Sequence, residues 1–152
     1  STLRIAIGSA GDGGPIVAKV ASELQRAGST VLLLEGLDWS ALATQANSFR
    51  ADVFIGFSIT DDAPTAESYY FGSDDYESVG GRQLAECIMS ELPASPGWGV
   101  GSIAAMRLPI LRETKATAVL VRLGDRESVE SSEDLVIASI YSALEIWLSH
   151  PF

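Results

Sequence analysis

Apolar residues fall into short continuous runs separated by longer stretches of helical period. A continuous run bounded by turn residues suits a strand buried on both faces, whereas apolar positions three and four apart mark one face of a helix. Leu3–Gly8 is a run of the first kind. Between Pro15 and Ala27, the positions Ile16, Val17, Val20, Leu24 and Ala27 form one stripe, with Pro15 suited to a first helical turn and Gly28 to a C-cap. Thr30–Leu34 predicts a second strand, Trp39–Phe49 a short helix and Asp52–Ile59 a third strand. The stretch "TDDAPTAE" reads as a polar loop that leads into an aromatic strand, "SYYFG". Tyr76–Leu92 is helical, with Leu84, Ala85, Ile88 and Leu92 inward, and "PASPGWGVG" is a turn-rich connector. Met106–Leu111 and Thr117–Leu123 are the remaining strand candidates, and Ser132–Leu148 is the closing helix.

Apolar strands alternating with amphipathic helices predict an α/β fold. The expected architecture is a three-layer sandwich, a largely parallel mixed sheet flanked by helices on both faces. A length of 152 residues suits a single domain over 1–152, and the start at Ser1 is expected of a domain cut from a longer protein. Functional groups in such sheets collect at the carboxyl ends of the strands. Three loops qualify, "SAGDGG", "SITDDA" and "RLGDRE", and they bring Asp12, Ser58 and Arg122 as candidate residues.

Charge narrows the partners. Twenty acids against ten bases give a net charge of −10, which speaks against nucleic acid and anionic lipid as ligands. No apolar run reaches the length of a membrane span, so membrane insertion by this domain is not expected. The compartment, envelope or cytoplasm, stays open.

The residue inventory narrows the chemistry. Glycines at 8, 11, 13 and 14 match neither dinucleotide nor P-loop spacing, and Asp12 would repel a phosphate. His150, the only histidine, lies close to the C-terminus, so a nucleophile paired with a histidine base is poorly served. Cys87, the only cysteine, falls within a helix between Glu86 and Ile88, as a small core-edge residue would. Zinc asks for three or four converging ligands, chiefly His and Cys. A carboxylate site for calcium or magnesium at "TDDA" or "SDDY" competes with the plainer reading of solvated turn residues.

Several stretches taken together carry a family likeness: "ANSFRADVFIGFSIT", "ESYYFG", "RQLAECIMSEL" and "LPILRETKATAVLVRLGD". They resemble the zinc-dependent N-acetylmuramoyl-L-alanine amidases of the Amidase_3 type, in register over nearly the whole chain. The most specific piece is "LRETK", followed by "AVLV" and then "LG". The resemblance implies an α/β domain related to enzymes that cut between the glycan and the stem peptide of peptidoglycan. It also places Asp12 where the family has a zinc-binding histidine, and Ser58 where it has a second one. A glutamate ligand normally found on a segment before the first long helix has no counterpart between Gly14 and Pro15. Arg122 stands where the catalytic glutamate belongs.

On that resemblance the chain is expected to be a degenerate, non-catalytic member, with zinc expected for the family and expected absent here. The stretch "YYFGSDDYESVGGRQLAECIMSEL" is also similar to the corresponding part of an actinobacterial pseudo-amidase regulator. The implied partner is therefore a protein of cell-wall synthesis or hydrolysis, with a peptidoglycan fragment as the alternative. A further alternative is an active amidase with a rebuilt site. Arg122 is expected to replace the charge of the metal by pairing with Asp12 and bonding Ser58.

Overall fold

The computed structural model describes residues 3–10, 13–36, 38–61, 64–92, 98 and 101–149. Six strands form one sheet in the order β2-β1-β3-β6-β4-β5: β1 (Arg4–Ser9), β2 (Thr30–Glu35), β3 (Val53–Ile59), β4 (Thr65–Phe71), β5 (Ser102–Met106) and β6 (Thr117–Gly124). The four strands β2, β1, β3 and β6 run parallel. β4 pairs antiparallel with β6 and parallel with β5, so the last two strands point the other way. This is the expected mixed, largely parallel sheet.

Helices cover both faces. On one face α1 (Pro15–Arg26), α3 (Val79–Glu91) and α6 (Glu133–Ser149) bury Val17, Leu84 and Ile140 against Ile5, Ile55, Phe57 and Val121. On the other, α2 (Trp39–Phe49) and the short α4 (Pro109–Glu113) bury Leu42 and Ile110 against Ala6, Phe54 and Leu120. The central strands are buried on both faces, which is why Val53–Phe57 and Ala118–Val121 read as unbroken apolar runs. A last short helix, α5 (Arg126–Ser131), joins β6 to α6. Among the described residues no helix is long and apolar enough to cross a membrane.

Two expectations are corrected. The strand expected at Met106–Leu111 ends at Met106; it starts earlier, at Ser102, directly after the turn-rich connector. Pro109 then opens α4, because it lacks an N–H that a first helical turn does not use. The third helix begins at Val79 rather than Tyr76, with the Ser78 hydroxyl accepting from the Gly81 N–H at 3.1 Å.

Candidate functional site

Strand register assembles the site. β3 and β6 place Ser58 beside Arg122, and β6 and β4 place Arg122 opposite Glu67. Side chains alternate along a strand, so Ser58 leaves the sheet on the face of Phe54, Arg122 on that of Leu120 and Glu67 on that of Tyr69. These are one face, the one that α2 and α4 cover nearer the sheet centre. The three residues therefore form a polar row beyond the apolar floor, at the carboxyl ends of β3 and β6.

The row is held by an ion pair. Arg122 Nη1 lies 3.3 Å from Glu67 Oε1, with the two side chains 38% and 31% exposed. Tyr69 lies two residues along β4 from Glu67, on the same face of the sheet. Burial pushes its phenol up, the hydrogen bond and charge of Glu67 add to this, and Arg122 pulls the other way. Ser58 and Arg122 each have further interactions besides these.

The glycine loop after β1 is shaped by close approach. A Cβ on Gly13 would come 2.4 Å from Val17 Cγ2 and 2.6 Å from Ser9 Cβ, so only glycine fits between strand and helix there. Gly14 has φ 63°, the left-handed region that glycine enters without penalty. Asp12, and with it the expected Asp12–Arg122 pair, lies outside the described residues. The other two loops are tied together: the Arg126 guanidinium donates to Asp61 Oδ1 at 3.1 Å and to the Ile59 carbonyl at 3.3 Å.

The remaining candidates divide. Asp61 is engaged by Arg126, and Asp74 is 3.6 Å from Arg107, so each carries a cationic neighbour. Asp62 lies outside the described residues. Among the described residues, no three His, Cys, Asp or Glu side chains converge as a metal site would require. Cys87 is partly buried, and burial raises its thiol pKa, followed by the charges of Glu86 and Glu91. That disfavours the reactive thiolate.

The row also contains two residues that sequence reasoning missed, Glu67 and Tyr69. Glu67 reads as the last residue of a polar loop, yet β4 starts at Thr65 and alternates strictly between half-buried and buried positions. Strand alternation puts Glu67 and Tyr69 on one face, but that this face stands opposite Arg122 follows from the pairing of β4 with β6, which the local sequence does not show. Chemically, the row offers a guanidinium, a carboxylate, a phenol and a hydroxyl, with the ion pair half-exposed. A guanidinium has donors and no lone pair to give a metal. Its planar fork suits carboxylates and phosphates.

No protein-family model matches the sequence, and no curated protein matches it. Solved structures do match the fold. An N-acetylmuramoyl-L-alanine amidase from Clostridium difficile 630 superposes with a TM-score of 0.78 at 16% identity, covering 100% of both chains. The amidase AmiC2 of Nostoc punctiforme gives 0.78 at 16%, over 99% of both chains. The CwlD amidase from Clostridioides difficile, solved in complex with the GerS lipoprotein, gives 0.73 at 14%, over 97% of this chain and 99% of that one. The three-layer fold of this chain is thus the fold of N-acetylmuramoyl-L-alanine amidase structures over essentially its whole length.

Proposed function

We propose that this chain is a pseudo-amidase: an amidase-like domain of bacterial peptidoglycan metabolism that does not cut, and that regulates wall synthesis or hydrolysis by binding a protein. The observation that carries the reading is the Arg122–Glu67 pair at the strand ends. Arg122 occupies the position that the family resemblance assigns to the catalytic glutamate. A guanidinium there is a poor base, since it stays protonated in proteins. The zinc that the resemblance implies is also badly served. Of the described residues in the row, Ser58 offers a hydroxyl, Arg122 a cation that repels another, and Glu67 a carboxylate already engaged by Arg122. These residues do not fit a zinc ion with the His and carboxylate ligands usual for catalysis.

Protein partnering has a precedent in the fold, because the CwlD amidase was solved in complex with the GerS lipoprotein. A second reading rests on the half-exposure of Arg122 beside Tyr69. It takes the row as a non-cutting receptor for a muropeptide, whose carboxylates suit a guanidinium fork. Incubation with purified sacculi separates the readings. Stem-peptide release restored by zinc supports an active amidase, retention on the wall without release supports the receptor, and neither supports the regulator.

A further inference from the structure

A second feature lies on the opposite face of the sheet, away from the strand-end row. Helix α6 begins against α1, where Lys19 Nζ meets Glu133 Oε1, and ends against α3, where the Trp147 indole donates to the Gly80 carbonyl at 3.2 Å. The two helices therefore diverge. Between them opens a groove of about 680 Å³, lined on the α1 side by Glu23, Arg26 and Ala27 and on the α6 side by Ile137, Ala138 and Tyr141, with Asp134 at the rim.

Three properties define what fits. Ile137, Ala138 and Tyr141 give the α6 wall an apolar surface between the polar Asp134 and Ser142, and Leu135 on the neighbouring flank of α6 is 51% exposed, so α6 carries more apolar surface than its own fold uses. The α6 wall runs from position 134 to position 142, which is about 12 Å or two helical turns. At its centre is Ala138, whose small side chain admits close approach of another backbone. The charge is predominantly acidic: Glu23 and Asp134 line the groove with Arg26, which pairs with Glu23, and Glu130 and Glu133 lie on the adjoining flank, where Glu133 pairs with Lys19.

We infer that this groove is a docking site for a basic amphipathic helix of another protein, with its apolar stripe on Ile137, Ala138 and Tyr141 and its Lys or Arg residues against Asp134 and Glu23. Helix-in-groove recognition uses apolar anchors at i, i+3 or i+4 and i+7, a span that two to three turns supply. The acidic rim selects against acidic helices and steers basic ones in. A second copy of this chain is the wrong partner, because a net charge of −10 opposes self-association. The inference does not depend on whether the strand-end site cuts.

The probe is a fluorescein-labelled synthetic peptide of about 14 residues, Leu on one helical face and Lys on the other. It is compared with a scrambled peptide of the same composition and a Glu-for-Lys version. Binding is read by fluorescence anisotropy, and its location by amide shifts of the isotope-labelled chain. The amphipathic Lys peptide is expected to bind, with shifts concentrated at 23–27 and 134–142. Ala138→Trp, which fills an exposed position of the groove, is expected to weaken it about tenfold or more, on the scale of a lost interface anchor. Asp134→Lys should weaken it most at low salt, where charge is least screened. Equal binding of the scrambled peptide, shifts located elsewhere, or indifference to both substitutions overturns the inference.

Discussion

Arg122 and Glu67 face each other across the antiparallel β6–β4 pair, 3.3 Å apart, on the row that also carries Ser58. Their half-exposure sets the energetic scale. Solvent-accessible ion pairs are worth about 1 kcal/mol or less. Urea unfolding of Arg122→Ala, Glu67→Ala and the double variant should therefore give a coupling energy of about 0.3–1 kcal/mol. A coupling indistinguishable from zero means that the two groups do not pair in solution.

Tyr69 reports the same pair independently. Burial is the main cause that raises its phenol pKa; Glu67 adds to the rise and Arg122 opposes it. Ultraviolet titration, with Tyr69→Phe as the reference, should show the tyrosine ionising earlier in Glu67→Gln and later in Arg122→Gln. The sign for stability follows from linkage. A tyrosine whose folded pKa exceeds its unfolded value favours the fold below the unfolded pKa, and that contribution is lost as pH rises through the folded pKa. The Glu67→Gln variant should lose less stability than the parent chain over that alkaline window. Movement of Tyr69 in the same direction in both variants contradicts the assigned geometry.

Much of the fold was legible because its central strands are buried on both faces. Ile5, Ile55 and Val121 lie within apolar runs that only a covered parallel sheet needs, and the α1 stripe of Ile16, Val17, Val20 and Leu24 is the buried face of that helix. Edge strands lack this signature. Four of the five residues of β5 are exposed, so "SIAAM" does not announce itself, and the apolar run that follows it belongs to a proline-started helix. The site was legible only in part. Ser58 and Arg122 are found from the strand ends, whereas Glu67 depends on which strand pairs with β6, a non-local fact.

Arg50 sits in the left-handed region at φ 58°, closing α2 with its N–H directed to Ala46 and Asn47 carbonyls. A side chain there costs about 1 kcal/mol. Arg50→Gly is expected to stabilise the chain by about 0.5 kcal/mol or less in urea unfolding, after the added entropy of the unfolded glycine is set against the relief. A clear loss of stability would show that the Arg50 side chain itself holds the turn.

Substituting His at 12 and 58 and Glu at 122 is expected to leave the chain inactive and only weakly zinc-binding. Catalytic zinc takes three protein ligands as a rule, and the resemblance implies that the segment carrying the third has no counterpart between Gly14 and Pro15. The Glu introduced at 122 would also stand opposite Glu67, and like charges directly across a strand pair destabilise by about 0.2–1 kcal/mol. Titration calorimetry with zinc checks this, and tight stoichiometric binding by the triple variant would contradict it.

The claim that the strand-end row does not cut peptidoglycan is tested most directly by digesting purified sacculi with the unaltered chain. Release of stem peptides is followed by mass spectrometry, with added zinc and with a chelator. Our account predicts no release above the buffer control in either condition. Stem-peptide release that appears with zinc and vanishes with the chelator would contradict it.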